Sequence, residues 1–309
     1  MKNLCLAVLL LCAMAGIAIP IASSARSMMP SEIQQLIGVD YRALKDSPTA
    51  QALKDKVMPD NLKELETALK GIGIDSDHDL DQLNFASFRT EQKGIQTIGI
   101  AQGSFSAKAL RKKMRLKKIT GTKYGTAIIY PMDNGLVMTF LDDNTLAFGN
   151  SASLHSALDT RDGKRPSMDS NPVMTDQMSA VDGSPLWSIL DQQGTQAMMF
   201  SAMGDASKVG DYDTIKKRIL ASRYTMTFQS GVNFDLSVQT ADSMTAATLS
   251  TLLKGVMLYK KLNASPVEKT AIDAATVNSD SSTLQIHFKS DDQKFQSLMN
   301  SPLFAAVSH

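Results

Sequence analysis

Between Tyr224 and Val238 the apolar side chains fall on every second residue: Tyr224, Met226 and Phe228, a Ser230-Gly231 turn, then Val232, Phe234, Leu236 and Val238. A period of two puts these side chains on one face of a pleated strand, and a slip of one residue would turn them all to the other face. The segment therefore reads as an antiparallel hairpin with one buried face, and the rest of the chain must supply a cover for it. The same alternation returns at Leu136, Met138 and Phe140, between Asp133-Asn134-Gly135 and Asp142-Asp143-Asn144 turns, the second leading to Leu146 and Phe148. Further strands are predicted over 31–40, through Leu83 and Phe85, through Ile98 and Ile100, around Trp187, near Ile272, and through Leu284, Ile286 and Phe288. Gly99, Ala101 and Gly103 occupy the second face of their strand, which implies a close neighbour there. Trp187, beside Ile189 in its strand, reads as a core anchor.

Helices are predicted between these strands. Ser47-Pro48 starts one with proline in its first turn. Asp60 precedes Leu62, Leu65, Ala68 and Leu69 at helical spacing, with Gly71 as the stop. Others run from about Ser106 to Lys118, Ser151 to Leu158, Asn171-Pro172 onward, and Asp291 to Met299. The longest runs from about Ala241 to Leu262, with Leu249, Leu252, Leu253 and Val256 on one stripe. Helices packed on antiparallel sheets make an α+β fold. Each half of the chain reads strand, helix, antiparallel strands, closing helix. Gly103-Ser104-Phe105-Ser106 parallels Gln239-Thr240-Ala241-Asp242, and the run from Leu146 parallels the run from Ile286. The pattern predicts a degenerate internal duplication. With 309 residues, two domains are expected: 26–165 and 166–309, joined through the charged, proline-containing stretch Asp159 to Met168.

Residues 1–25 read as an export signal. Lys2 precedes a chargeless apolar run from Leu4 to Ala22, Pro20 breaks it, and Ser23-Ser24-Ala25 offers small residues for cleavage after Ala25. An uncleaved anchor is the alternative, because the run approaches the ~20 residues a membrane span needs. Cleavage removes Lys2 and both cysteines, Cys5 and Cys12, and leaves equal numbers of acidic and basic side chains. A cysteine-free, formally neutral exported chain points to the bacterial periplasm or to secretion. The charge balance, 32 basic against 31 acidic, also argues against a nucleic-acid partner.

The order Met29-Pro30, Gly38-Val39-Asp40, Ser47-Pro48, Gly73-Ile74-Asp75, Asp79-Leu80-Asp81, Gly103-Ser104-Phe105, Phe140-Leu141-Asp142-Asp143 and Asn171-Pro172 resembles a group of uncharacterised exported bacterial proteins, of the kind found in acidobacteria, with a tandem α+β layout. The likeness spans about residues 29–190. It implies export and a repeated α+β fold, and it carries no activity and no functional residues.

Lys108, Arg111, Lys112, Lys113, Arg115, Lys117 and Lys118 surround a narrow apolar stripe of Ala107, Leu110 and Met114. This is an amphipathic helix with a positive outer face, suited to anionic lipid or an acidic partner, or otherwise a solvated surface. Asp75, Asp77, Asp79 and Asp81 alternate like the start of a calcium loop, but Leu80 and Ala86 stand where such a loop needs glycine and a bidentate acid. Capping of a short helix around Leu80 is the expectation. Met174/Met178 and Met199/Met203 have helical spacing and read as core filler, with a methionine-lined ligand groove as the softer alternative. The histidines at 78, 155, 287 and 309 share no ligand spacing, so no metal and no cofactor is expected. No Gly-x-Ser-x-Gly elbow, Ser-x-x-Lys pair, phosphate loop, dinucleotide fingerprint or zinc-protease helix is present. The leading expectation is a non-enzymatic exported binding or scaffold protein of the bacterial envelope. Its partner would be an envelope protein, an amphiphile or the membrane surface. A carrier of an apolar or amphiphilic ligand is the second expectation, and a hydrolase whose site is assembled from distant residues is the third.

Overall fold

In the computed structural model, which describes residues 21–58, 60–75, 78–90, 94–203 and 212–308, the alternating segments become strands. In the first half they are β1 (Ile33–Asp40), β2 (Leu80–Thr90), β3 (Gly94–Gly103), β4 (Thr122–Tyr124), β5 (Ala127–Pro131), β6 (Val137–Phe140) and β7 (Thr145–Gly149). In the second they are β8 (Leu186–Leu190), β9 (Ile219–Thr227), β10 (Val232–Thr240), β11 (Ala275–Asp280) and β12 (Thr283–Ser290). All pair antiparallel in one sheet, ordered β11-β12-β10-β9-β8-β1-β2-β3-β7-β6-β5-β4. Helices cover it, and the fold is α+β. None of the helices among the described residues is long and apolar enough to cross a membrane.

The layout repeats. Outward from the central β1–β8 pair, one half runs β1, β2, β3, β7, β6 and the other β8, β9, β10, β12, β11. In each, a helix follows the third strand. Ser106 caps Ala107–Leu116 and Asp242 caps Ser243–Leu262, each side chain accepting a backbone N–H three residues on. Asn150 and Asp291 cap the closing helices Ser151–Arg161 and Asp292–Met299 in the same way. The sheet runs through the expected boundary at 165/166. The stretch around it is tied down, with Ser31 N–H donating to Pro166 O and Met168 N–H to Met29 O.

Side chains that oppose each other across an antiparallel pair share a face. Leu36 opposes Ile189 on one face, and Val39 opposes Leu186 on the other. The first face carries a core of Leu36, Phe88, Ile98, Ile100, Trp187 and Ile189 under Leu154 and Leu158 of one helix and Met174 and Met178 of the helix Pro172–Ser179. Ile21, Ala25, Met28 and Met29 complete that core. Residues 1–20 of the expected export signal lie outside the described residues. The short helix Ser23–Arg26 spans the expected cleavage point, and among the described residues Ile21 and Ala25, which lie on the signal side of it, pack in the core.

The second face carries three clusters. One lies under the helices Asp60–Ile72 and Ala107–Leu116, one under Gln192–Met203 and Ser243–Leu262, and one between Pro48–Val57 and Asp292–Met299. The last joins Leu44, Ala50 and Leu53 to Phe228, Val232 and Phe295, so both halves contribute to it. The close neighbour expected beside Gly99 is the Phe148 ring, which fills the space a Cβ would need.

Two local expectations are corrected. Ile272 belongs to the helix Pro266–Asp273, and the strand follows it. Ser265 and Glu268 form a reciprocal capping box with Pro266 between them, a start signal that outweighs the short β-like run. Leu80 begins β2 instead of a helix. Asp75 and Asp79 close a tight turn before it, Asp79 N–H donating to Asp75 O at 2.7 Å and Asp75 N–H to Asp79 Oδ2 at 2.8 Å.

Glu268 also ties down the last helix, Pro302–Ser308. One carboxylate oxygen accepts Ser265 N–H and the other accepts Leu303 N–H, both at 2.8 Å. These backbone hydrogen bonds hold its carboxyl below the usual glutamate range. A depressed folded-state pKa means stability that is fully present above the unfolded value, about 4.3, and lost as pH falls through the folded value. In Glu268→Gln this part of the acid limb of the stability–pH curve should flatten, as read by urea midpoints from pH 7 downward. An unchanged acid limb would show that Glu268 does not contribute.

Candidate functional site

The helix Ala107–Leu116 leaves β3 on the second face of the sheet. Its inward positions, Ala107, Leu110 and Met114, are buried and lock it onto Phe105, Met138, Phe140 and Leu146. Its end is fixed as firmly as its start. Lys118 adopts a left-handed backbone (φ 58°), Ile119 N–H reaches back to Met114 O at 2.9 Å and Lys118 N–H to Arg115 O at 3.0 Å. This is a Schellman-type stop reached without glycine.

Rigid at both ends, the helix carries Lys108, Arg111, Lys112, Lys113 and Arg115, and its stop carries Lys117 and Lys118, all exposed. Among the described residues none of the seven forms an ion pair. Arg111 lies over the Phe140 ring at 4.8 Å, a cation–π contact that orients its guanidinium. Leu116, 77% exposed, adds an apolar side chain to the same surface. The structure therefore gathers Lys108, Arg111, Lys112 and Arg115 on the outer side of the helix, places Lys113 to one side with its ammonium against Gly73, and leaves Lys117 and Lys118 in the stop that follows. Chemically the surface attracts anions through its summed field and offers no acid–base pair.

The other candidates separate. Met174, Met178, Met199 and Met203 are at most 3% exposed and sit in two different cores. They fill space and do not line a groove. Trp187 is fully buried. His78 contacts Asp75 at 3.4 Å in an exposed turn, residues 76 and 77 and His309 lie outside the described residues, and no group of three or more potential metal ligands occurs among the described residues. His287 pairs with Asp235 at 2.7 Å across β10 and β12, on the polar first face of the second half.

A cluster of titratable groups joins β4 to the helix Ser151–Arg161, and the sequence gives no local sign of it. The Tyr124 hydroxyl donates to Asp159 at 3.0 Å, Lys164 donates to the other Asp159 oxygen at 2.7 Å, and His155 stacks on the Tyr124 ring at 4.0 Å. Burial, then the hydrogen bond to Asp159, pushes the Tyr124 phenol up. Burial works to raise the Asp159 carboxyl too, but the Lys164 and Tyr124 hydrogen bonds outweigh it and hold it down. A phenol kept protonated beside a carboxylate kept ionised is a stable donor–acceptor clamp.

Two further features are visible only in three dimensions. An open groove of about 640 Å³ lies between the helices Pro266–Asp273 and Asp292–Met299, lined by Val267, Ala271, Ala274, Leu298, Lys289 and Lys294 among others. The helix Ser243–Leu262 leaves Met244, Leu258, Tyr259 and Leu262 67–78% exposed.

No family model and no curated protein matches the chain. Among solved structures it is similar to TP0453. Crystal form I is 10% identical and covers 92% of this chain and 97% of that one at a TM-score of 0.47. Crystal form III is 10% identical and covers 89% and 96% at 0.48. At these values the likeness carries no argument about what this chain does.

Proposed function

We propose that the protein is an exported, non-enzymatic binding protein of the bacterial envelope that holds an anionic partner against the outer surface of the helix Ala107–Leu116. The observation that carries the reading is the set of seven exposed cations with no ion pair among the described residues, five on a helix fixed at both ends and two in its stop. A flexible basic tail would lose entropy on binding, whereas this surface is ordered beforehand. Near an anionic lipid surface each such cation contributes about 1 kcal/mol. The attraction decays over a Debye length of about 8 Å at physiological salt, so binding should weaken as salt rises.

The test is sedimentation with vesicles containing anionic phospholipid. Replacing Lys112, Lys113 and Arg115 together by alanine should weaken binding about a hundredfold at low salt. These side chains are exposed and alanine is a strong helix former, so folding should be preserved. Equal binding by the variant and the parent chain would retire the reading.

A second reading, carriage of an amphiphilic ligand, draws on the groove between the last helices, where apolar walls meet Lys289 and the Lys294–Asp291 ion pair (2.8 Å). Native mass spectrometry of protein from its own envelope fraction should then show a bound lipid-sized mass. Bare protein alone would count against this reading.

A further inference from the structure

A surface helix normally turns its charges toward water and its apolar stripe toward the core. The helix Ser243–Leu262 has two apolar stripes. Its inward stripe of Ala246, Leu249, Leu253 and Val256 is buried against β10, β11 and β12. The opposite stripe runs Met244, Ala247, Thr251, Gly255, Leu258 and Leu262, spaced by three, four or seven residues so that one side of the helix carries them all. All six are exposed, Met244 by 78%, Leu258 by 67% and Leu262 by 74%, and Tyr259 beside them by 70%. Val267, at the start of the next helix, extends the apolar surface around the corner and is 40% exposed. The large exposed side chains gather at the C-terminal end, where Leu258, Tyr259, Leu262 and Val267 lie together, with Met244 alone at the other end and small residues between; such a cluster in water marks a contact surface.

The charges select the occupant. Twenty residues of this helix contain Lys254, Lys260 and Lys261 and no acidic residue. Lys254 and Lys261 fall along one flank of the exposed stripe, and Lys261 also reaches Asp273 of the following helix. Among the described residues Lys254 has no ion pair, whereas Lys260, half-buried, lies on the sheet side of the helix and does not flank the stripe. An apolar stripe with cations on its flank and a tyrosine at its edge matches the layered chemistry of a bilayer surface. Acyl chains take the leucines, the headgroup region takes the phenol, and lipid phosphates meet the lysines.

We infer that the helix Ser243–Leu262 lies in the plane of an anionic phospholipid bilayer surface, with Met244, Leu258, Tyr259 and Leu262 in the headgroup–acyl boundary. The contact uses residues distinct from the basic surface of Ala107–Leu116 and stands or falls separately. It is a peripheral contact, since the same helix keeps its other side in the core.

The test uses the full chain and vesicles of zwitterionic and anionic phospholipid, with and without brominated acyl chains. The native Trp187 is fully buried, so a second indole introduced by Leu258→Trp reports the outer stripe. Its emission should shift to the blue on vesicle binding and be quenched by the brominated chains. Replacing Leu258 and Leu262 by serine should weaken binding about tenfold per leucine, at a salt concentration that screens the basic helix. Both side chains are exposed, so folding should be retained.

Vesicle-bound L258W protein with unshifted, unquenched emission would overturn this inference and leave the basic-surface reading standing. Quenched emission in a chain whose binding ignores loss of Lys112, Lys113 and Arg115 would do the reverse. Concentration-dependent dimers that the serine substitutions abolish would give the stripe to a second copy of the chain and overturn the bilayer assignment. Absence of binding to any vesicle would overturn both.

Discussion

Replacing Trp187 by alanine is expected to destabilise the protein by about 3–5 kcal/mol, the range for truncating a buried large aromatic. The indole is fully buried, and it stands on β8 directly opposite Gly38 of β1, where the two halves of the sheet meet. It packs in the core that also takes side chains from Ile21–Met29 and from the helices on either side of the 165/166 connection. The space a Cβ on Gly38 would need is occupied by the indole ring. Gly38→Ala should therefore cost about 1–3 kcal/mol by overpacking. The decisive measurement is a double-mutant cycle with Trp187→Leu, read from urea unfolding midpoints. The alanine should be largely tolerated once the indole is gone, with a coupling of about 0.5–3 kcal/mol. Strict additivity would show that Gly38 does not seat the ring. Against a total stability of about 5–15 kcal/mol, the Trp187→Ala loss alone brings the chain near its margin.

The second large effect is expected at Asp191, which does two jobs. One carboxylate oxygen accepts Arg89 Nη1 at 2.5 Å, while the other accepts Arg89 Nη2 at 3.2 Å and Gly194 N–H at 2.8 Å. The ion pair reaches over β1 from β2 to the end of β8, and the hydrogen bond to Gly194 caps the helix Gln192–Met203. Loss of a cap costs about 1 kcal/mol. A charge-assisted forked pair adds about 1.5–3 kcal/mol. Both side chains are partly exposed, 30% and 20%, and solvent screening places the pair at the lower end of that range. Asp191→Ala should then lose about 2–3 kcal/mol in a urea titration. Asp191→Asn keeps the capping oxygen and should recover about 1 kcal/mol of that. Equal losses in the two variants would show that the cap contributes nothing measurable.

How much of this was legible depended on whether the signal was local. The hairpin around Ser230-Gly231 and the turn at Asp133-Asn134-Gly135 were legible because alternation and turn residues specify pairing between neighbours in sequence. The Ser106 cap and the buried stripe of Ala107, Leu110 and Met114 were legible for the same reason. The outward placement of the seven cations followed, because burying so many unpaired charges is prohibitive. The short apolar run at Ile272 suits a strand or a helix equally, and the capping box that decides for a helix lies several residues upstream.

The helix Ser243–Leu262 shows the opposite limit. Leu249 and Leu253 sit in the core and Leu258 and Leu262 in solvent, yet all four have helical spacing with their neighbours. Periodicity predicts the helix and its stripe of Leu249, Leu253 and Val256, which the structure buries, but whether Leu258 and Leu262 on the other side are also covered is set by what else packs there. The first sheet face holds a comparable surprise. The helix after β7 covers it, whereas the corresponding helix after β12 packs on the second face. Asn233, Asp235, Ser237, Gln285 and His287 accordingly face solvent or lie only partly buried, a pattern their alternation with apolar residues allows but does not demand.

The sequence by itself determined the α+β class, most of the strands and helices, the repeated order of elements and the positive surface of one helix, since each rests on short-range spacing or on the cost of burying charge. Only the tertiary structure decided that the halves share one sheet through β1 and β8, that Trp187 closes onto Gly38, that Tyr124, Asp159 and Lys164 converge, and that one long helix exposes a second apolar stripe. Those outcomes join residues far apart in the chain, and the free energy that selects them comes from packing between elements, which no local pattern encodes.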